Sequence, residues 1–511
     1  MVAVLALAGE AVAAAPEADV ASLRSGVAIL QYDRATATSG GIARKVVTMG
    51  GEAAMFQELP FVAVRGSAVE VRRAAALRGV VAAHMNERME YHLHDSVPIA
   101  YGGAHPQPVW DLGYDGRGVN VAVIDSGTDG LHPDLESRVV RNYKVLHDVF
   151  TTDVEQLEQR VQECPVACDT DTTSGHGTHV AGTIVGDGTA STGFHTGVAP
   201  GAGLVSYGVG EGIAVLWALL AMDHLLAHPE LNVVAVNNSW GPTDDSARFD
   251  PDDPRNVATK ALHDAGITVV FSAGNSGPNP DNPTGESDCS TEGTEATCMI
   301  NQLSVAPWTL SIANTRADQG TLPGEQTLNY TSSRGDSAPR QVGDLTITYQ
   351  PTLAAPGTNI WATRSITGAT MLGSCTVIAA EPPACTEGRP EDFPRYVPSS
   401  GTSMSAPHVT GAVAVIQSKA LQKLGRRLSP AEVRDVLVRS AAPMTKNDSY
   451  YDWPCGEVYY PVTCPIEDFG GTTDQPYESW HVGAGALDIR AALALVEPAK
   501  PHKKPKPKPK P

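Results

Sequence analysis

The segment at residues 119–125 constrains the fold of this chain more than any other. Its first six residues are Val-Asn-Val-Ala-Val-Ile, and its last is Asp125. A largely apolar run of this length predicts a strand that is buried on both faces, as in a parallel sheet. Catalytic and ligand-binding groups in open α/β sheets collect at the carboxyl ends of the strands. We therefore expect Asp125 to lie at the functional edge of a sheet.

Further apolar segments alternate with helical patterns along the chain. The runs at 203–207, 233–237 and 267–271 predict strands, and the segments 213–227 and 256–264 predict helices between them. This alternation is typical of a mostly parallel sheet that is covered by helices on both faces. The predicted fold class is α/β.

A candidate nucleophile lies at residues 401–409, which read Gly-Thr-Ser-Met-Ser-Ala-Pro-His-Val. The small residues that follow are suited to a tightly buried helix. At the first turn of such a helix, N–H groups without intrahelical partners and the positive end of the helix dipole favour a developing anion. Ser403 could equally be an ordinary N-cap serine. The stretch by itself does not distinguish the two readings.

Two other segments supply the partners that a serine nucleophile needs, which are a base and a carboxylate that orients it. Asp125 is the carboxylate. Residues 174–183, Ser-Gly-His-Gly-Thr-His-Val-Ala-Gly-Thr, place His176 at the start of a predicted helix. With these segments in the order Asp, His, Ser, the sequence resembles the subtilisin-like serine proteases, or subtilases. The resemblance covers about residues 110–496.

The resemblance implies a role for each of these residues. Asp125 matches the orienting carboxylate of the family, His176 its general base and acid, and Ser403 its nucleophile. Asn275, in Ser-Ala-Gly-Asn at 272–275, matches the side-chain donor to the oxyanion. The fold implied is a subtilisin-like three-layer sandwich with a mostly parallel sheet.

Substrate recognition in the family uses extended backbone segments that pair with the peptide as an added strand. The matching segments form the expected walls of the pocket for the side chain before the scissile bond: Ser239, Trp240, Gly241, Ser272, Ala273 and Gly274. They carry no charge, which predicts a preference for large apolar or neutral side chains. The connection at 207–213 looks shortened, and its Glu211 would favour basic residues in the outer subsites.

Calcium ions bound by loop oxygens are common in the family. Asp134, in His-Pro-Asp-Leu at 132–135, matches a family ligand, although the loop 186–196 departs from the usual ligand pattern. Asp134 is therefore the candidate ligand of a structural calcium site, and acidic loops such as 250–253 are weaker candidates. The chemistry itself requires no cofactor.

The cysteines and the charge indicate the compartment and the partners. The eight cysteines form four close pairs: Cys164 with Cys168, Cys289 with Cys298, Cys375 with Cys385, and Cys455 with Cys464. Such pairs predict local disulfides in an oxidising compartment, with zinc ligation as the less favoured alternative because the pairs are scattered. The net charge of −20 argues against nucleic acid or an anionic membrane as partner.

The part of the chain before the matched region divides in two. Residues 1–25 are apolar up to Ala-Val-Ala-Ala-Ala and resemble the end of a secretory signal, although no basic residue precedes Arg24. The alternative is a frayed or disordered terminus. Residues 26–95 predict a small α+β unit that looks like the inhibitory prodomain of the family, to be cut within 91–107. An accessory domain is the alternative.

The remaining boundaries follow from composition. The peptidase domain is predicted at 96–497, with loop insertions at 284–300, 315–345 and 370–399. The tail at 498–511 is rich in Lys and Pro and is expected to be extended. No apolar run after the first is long enough to span a bilayer.

These patterns together predict a secreted, monomeric serine endopeptidase that is made as a self-processed zymogen. Its partners would be a protein or peptide substrate and its own prodomain as inhibitor. One alternative is a non-catalytic binding protein with the subtilase fold, which the complete set Asp125, His176, Asn275 and Ser403 disfavours. The other is a processing protease of narrow specificity. The long insertions favour a narrow substrate specificity, whereas the uncharged pocket walls favour a broad one.

Overall fold

The computed structural model describes thirteen stretches of the chain: residues 26–55, 61–85, 93–146, 160–165, 168–210, 215–241, 248–277, 299–316, 322–329, 331–336, 338–367, 395–445 and 476–498. The chain forms two compact units, one within residues 1–90 and the other within 91–511. No helix in the described stretches is long and apolar enough to cross a membrane. The predicted signal-like segment at 1–25, Glu211 and all but the first residue of the tail lie outside the described residues.

The first unit is a four-stranded antiparallel sheet in the order β2-β3-β1-β4, with two helices. Its elements are β1 (Gly26–Tyr32), α1 (Ser39–Thr48), β2 (Glu52–Met55), β3 (Phe61–Gly66), α2 (Ala68–Ala75) and β4 (Val80–Met85). Alternate residues such as Leu30 and Val64 pack with Val46 of α1 and Val71 of α2 in one core. The sequence reading missed α1, which begins at a pair of glycines, and β2, which has only four residues and no β-branched side chain.

The second unit is built on a nine-stranded, mostly parallel sheet, and the predicted α/β class is confirmed. The strands of the second unit, of which β13–β14 and β16–β17 form two separate pairs outside the large sheet, are β5 (Asn120–Asp125), β6 (Val139–Val145), β7 (Val161–Cys164), β8 (Gly203–Gly208), β9 (Val233–Asn238), β10 (Thr268–Ser272), β11 (Thr309–Arg316), β12 (Thr327–Leu328), β13 (Arg340–Val342), β14 (Leu345–Ile347), β15 (Leu353–Thr358), β16 (Ile360–Thr363) and β17 (Tyr396–Ser399). Its helices are α3 (Leu93–Ala100), α4 (Gln107–Trp110), α5 (His176–Val185), α6 (Val215–Ala227), α7 (Pro254–Asp264), α8 (Thr402–Leu424), α9 (Pro430–Ser440), α10 (Ser479–Val482) and α11 (Ile489–Leu495). The sheet order is β12-β11-β10-β9-β5-β8-β6-β7, and β15 pairs with β11. Among the described strands of this nine-stranded sheet, β7 and β12 are the two that run antiparallel to their neighbours.

Each face of this sheet has its own core. Val121 and Val123 of β5 pack in a cluster that contains residues of α5 and α8. Ala122 and Ile124, which point to the opposite face, pack in a second cluster with residues of α6 and α7. Because side chains alternate along a strand, the unbroken apolar run of β5 serves both cores at once. The result is three layers, with helices on both sides of the sheet.

Helix α8 passes through the middle of the larger core. Nearly all of its residues from Thr402 to Ala420 are buried, and small side chains allow close packing. A Cβ atom at Gly411 would lie 2.6 Å from Cβ of Val198. Helix α5 packs equally closely on the segment that follows β5, since a Cβ atom at Gly177 would lie 2.2 Å from the carbonyl oxygen of Gly127. Glycine therefore allows close packing in both helices.

Two of the predicted loop insertions contain regular structure. The segment 315–345 includes the end of β11, β12, β13 and the start of β14, and the segment 370–399 ends in β17, which pairs with β16. The prediction of long loops was wrong at these positions, because strands of two to four residues are too short to show a periodic pattern. Most of the insertion at 284–300 lies outside the described residues.

Candidate active site

The predicted site residues meet at the carboxyl edge of the large sheet. Strands β5, β9 and β10 are parallel neighbours. Asp125 is the last residue of β5, Ser239 directly follows β9, and Asn275 lies shortly after β10. Parallel pairing brings these three strand ends to one edge, as the sequence predicted for Asp125.

Asp125 and His176 are in direct contact. Oδ1 of Asp125 lies 2.7 Å from Nδ1 of His176, and the carboxylate is almost fully buried whereas the imidazole is about a quarter exposed. An ionised carboxylate only accepts hydrogen bonds, so Nδ1 carries the proton and Nε2 is left as the basic nitrogen. His176 is the first residue of α5, and Gly175 before it adopts φ 84°, a left-handed conformation that glycine takes without strain.

Asp171 and Ser126 hold the first turn of α5, and the sequence analysis assigned neither. The Asp171 carboxylate accepts hydrogen bonds from the N–H groups of Gly175 (2.8 Å) and Thr178 (3.0 Å) and from the Thr178 hydroxyl (2.7 Å). The Ser126 hydroxyl accepts from the Gly177 N–H at 2.8 Å, and the Ser126 N–H donates to Oδ1 of Asp125 at 2.8 Å. Ser126 thus ties the carboxylate directly to the helix that carries His176.

The charges around His176 favour its protonated form. Burial by itself would lower the pKa of the imidazole, but the negative charge of Asp125 and the hydrogen bond with it raise the pKa above the ordinary value, and the charge of Asp171 adds to the rise. His176 is therefore a stronger base than a free histidine, and the imidazolium that forms on proton transfer is stabilised.

Ser403 occupies the second position of α8. Gly401 is the N-cap at φ 151°, and no side chain caps this helix, so the N-cap reading of Ser403 is wrong. The Ser403 hydroxyl donates to the Ser239 carbonyl at 3.1 Å, and the Ser239 hydroxyl donates to the Ser403 carbonyl at 2.8 Å. Within the described part of the chain, the Ser403 N–H has no hydrogen-bond partner. It remains available to an anion at this helix end.

Thr402 fixes the orientation of the Asn275 amide. Oδ1 of Asn275 accepts hydrogen bonds from the Thr402 N–H at 2.9 Å and from the Thr402 hydroxyl at 3.0 Å. The same hydroxyl accepts from the Gly274 N–H at 3.2 Å. Because both Thr402 groups donate to Oδ1, the NH₂ group of Asn275 must face away from Thr402. The sequence analysis missed this role, since only the fold brings residues 275 and 402 together.

Asn301 joins the two expected walls of the substrate pocket. Its buried side-chain amide donates to the carbonyl oxygens of Trp240 (3.1 Å) and Ser272 (2.9 Å). A Cβ atom at Gly241 would lie 2.8 Å from Nδ2 of Asn301, so the wall has no room for a side chain there. The sequence carried no signal for Asn301, which directly follows the predicted loop insertion at 284–300.

Comparison with known proteins identifies the family. The sequence model of the protein family described as Subtilase family matches residues 116–462, which is more than half of the chain. The chain belongs to the subtilase family. This confirms the predicted resemblance and the fold class, and makes the chain a serine protease, a hydrolase that acts on proteins or peptides.

The relatives of this subtilase differ in length and location. It is 27% identical over 341 residues to the major intracellular serine protease of Bacillus subtilis (strain 168), in an alignment that covers 66% of this chain and 80% of that protein. It is 34% identical over 195 residues to the minor extracellular protease Vpr of the same organism, in an alignment that covers 37% of this chain and 21% of that protein. The crystal structure of fervidolysin from Fervidobacterium pennivorans, described as a keratinolytic enzyme related to subtilisin, aligns with 92% of this chain and 61% of its own, at 21% identity and a TM-score of 0.48.

Both carboxylate oxygens of Asp134, the predicted calcium ligand, accept hydrogen bonds from the protein. Its buried carboxylate accepts hydrogen bonds from the Ala190 N–H at 2.6 Å and from the Tyr396 hydroxyl at 2.7 Å, one on each oxygen. Burial raises the pKa of this carboxyl above its ordinary value. In the described stretches, no group of three His, Cys, Asp or Glu side chains is placed to hold a metal ion. Calcium binding, at Asp134 or at another acidic loop, stays a prediction.

One of the four predicted disulfides falls within the described residues. Cys164 and Cys168 are bonded to each other, which excludes them as zinc ligands. The other six cysteines lie outside the described stretches: Cys289, Cys298, Cys375, Cys385, Cys455 and Cys464. Their expected pairing, each with its neighbour in the sequence, therefore stays a prediction.

Replacing Thr402 by Val should reduce turnover. The variant loses one of the two hydrogen bonds that orient the Asn275 amide, and we expect kcat to fall about tenfold while KM changes little, since about 1.4 kcal/mol is the size of one such bond. Steady-state kinetics on a peptide substrate measure this. Thr402→Ser keeps the hydroxyl and should retain most of the activity. Equal kcat values for Thr402→Val and the parent would contradict the assignment.

The charge of Asp171 should affect the acidic side of the pH profile of kcat/KM, called here the acidic limb, where activity rises with pH. The base must be neutral, so kcat/KM rises with pH through the His176 pKa, which lies above its ordinary value. Asp171→Asn removes a negative charge, lowers that pKa and should shift the limb to lower pH by roughly half a unit at low ionic strength. Thr178→Val removes one hydrogen bond to Asp171 but keeps the charge, and should leave the limb in place. An unmoved limb in a folded Asp171→Asn variant would refute the charge effect.

Proposed function

We propose that this subtilase cleaves peptide bonds through an acyl-enzyme on Ser403. Nε2 of His176 takes the hydroxyl proton as Oγ attacks the peptide carbonyl, and Asp125 holds the imidazole tautomer and stabilises the imidazolium. His176 then gives the proton to the leaving amine. Water, activated by the same base, releases the acyl group and restores Ser403. The contact of 2.7 Å between Asp125 and His176 is the observation that carries this proposal.

The oxyanion would be held by two donors. One is the N–H of Ser403, which has no partner among the described residues, and the other is the NH₂ group of Asn275, which Thr402 turns away from itself. Donors that are fixed before reaction cost no reorganisation when the charge develops. The Ser403 hydroxyl donates to Ser239 in this structure, so attack requires it to rotate from that carbonyl towards His176.

The pocket favours broad specificity with a neutral side chain before the scissile bond. Its proposed walls are formed by Ser239, Trp240, Gly241, Ser272, Ala273 and Gly274, and Asn301 links them through uncharged amide contacts. These described wall residues carry no charge that would select a basic or acidic residue. A narrow processing protease would need its selectivity from the outer subsites.

The smaller unit is proposed as an inhibitory prodomain that the enzyme removes. Its size and its position before the catalytic unit support this, as does the division of the chain at residues 90 and 91. Ser96, Val97 and Tyr101 are buried in the catalytic unit, where Ser96 contacts Nε2 of His408 at 3.1 Å and Tyr101 donates to the Val198 carbonyl. A cut after these residues would remove buried side chains from the core of the catalytic unit. We therefore place the cut within 86–95, upstream of most of the stretch 91–107 that the sequence suggested.

The proposed enzyme is secreted and acts as a monomer outside the cytoplasm. The Cys164–Cys168 disulfide supports an oxidising compartment, and one relative is named as extracellular, although another is named as intracellular.

A single preparation tests activity and processing together. The parent chain should degrade casein, lose activity to a serine-directed inhibitor and show a new N-terminus within residues 86–95. Ser403→Ala should remain full length and inactive. A peptide panel should show the highest kcat/KM for large apolar residues before the cleaved bond. Casein degradation by Ser403→Ala would refute the role of Ser403 as nucleophile. Cleavage of the parent and of Ser403→Ala at the same bond within 86–95 would refute self-processing only.

A further inference from the structure

A groove on the larger unit shares no residue with the site around Ser403. It consists of two cavities of about 180 and 340 Å³. Both are lined by Thr348, Gln350, Thr352 and Arg434, which join them into one elongated depression beside α9.

Arg434 brings an uncompensated positive charge to this groove. Its Nη1 donates to the Thr309 carbonyl at 2.6 Å, which anchors the half-buried guanidinium. A guanidinium has five N–H donors, yet this is its only hydrogen bond, and no carboxylate lies within ion-pair distance, in the described stretches. Burial lowers its pKa and no nearby acid raises it. Arg439, on the same helix, is paired with Asp435 at 2.9 Å.

Two hydroxyl groups near Arg434 are also left as donors. The Thr352 hydroxyl accepts a hydrogen bond from the Ser311 N–H at 3.0 Å, and the Thr346 hydroxyl accepts from the Gln341 amide at 2.7 Å. Each oxygen is therefore satisfied by the protein while its proton can be given to another acceptor. A half-buried guanidinium with hydroxyl donors around it is complementary to an oxyanion, and planar carboxylates suit Arg best.

The larger cavity provides a different surface. Pro351, Val438 and Ala484 line it, and the exposed surface inside it is mainly apolar. A ligand that fills both cavities must therefore carry an anionic group next to an apolar one.

We propose that this groove binds the C-terminal carboxylate of a peptide whose last residue is apolar. Arg434 pairs with the carboxylate, and the side chain of that residue lies against Pro351 and Val438. Every cleaved peptide bond leaves a C-terminal carboxylate, and some of the new ends are apolar, so the groove is a binding site for cleavage products and does not depend on how Ser403 acts.

Calorimetric titration of the full-length chain carrying Ser403→Ala tests the proposal without turnover. N-acetyl-leucine should bind with a millimolar dissociation constant, and N-acetyl-leucinamide, which lacks only the charge, at least tenfold more weakly. Arg434→Gln in the same background should weaken N-acetyl-leucine at least tenfold, because a charge-assisted hydrogen bond is lost. Arg439→Gln, which removes an exposed charge from the same helix, should leave the affinity unchanged.

Three results would overturn the proposal. They are equal affinity for the acid and the amide, unchanged affinity in Arg434→Gln, and binding of inorganic phosphate as tight as that of N-acetyl-leucine. If Arg434→Gln fails to unfold cooperatively, Val438→Asp replaces it, since an acidic group at this half-exposed position should repel the carboxylate ligand and weaken it at least tenfold. An unchanged affinity there would also overturn the proposal.

Discussion

The hydrogen bond between Asp125 and His176 is the contact on which the rest of the site depends. One partner is fixed by a parallel strand in the middle of the sheet, and the other by the first turn of a helix. Their distance is set by backbone packing, because Gly177 lies so close to Gly127 that a single methyl group would push the helix away from the segment that follows β5. Ser126 then links the carboxylate to the helix through its own N–H and hydroxyl groups. The geometry is therefore a property of the backbone as much as of the side chains.

The helices α5 and α8 begin alike but use their first turns differently. Each is preceded by a glycine in a conformation that disfavours other residues, and neither has its own side-chain cap. In α5, the N–H groups of Gly175, Gly177 and Thr178 are all bound by Asp171 and Ser126, which makes the helix end rigid. In α8, the N–H of Ser403 has no partner in the described part of the chain. The first of these helix ends positions the proposed base, and in the second the Ser403 N–H is available to the anion of the proposed mechanism.

The central strands and three of the four residues that carry the proposed chemistry left local signals in the sequence, and the resemblance to the subtilases supplied the fourth, Asn275. Asp125 ends an apolar run, while His176 and Ser403 stand at the starts of small-residue helices. The residues that orient them were missed. Thr402 and Asn301 act across gaps of 127 and 29 residues, and no periodicity records such contacts. Asp171 could have been found, since an acidic side chain five residues before a predicted helix can reach its first turn.

Covalent labelling of the active site tests the central claim most directly, since it requires the nucleophile, the base and the oxyanion donors to act together. The purified enzyme is treated with a fluorophosphonate, and the modified residue is located by mass spectrometry. The account predicts one label per chain, on Ser403, and labelling that slows at least a hundredfold in His176→Ala. A label on another residue, or undiminished labelling of Ser403 without His176, would contradict it.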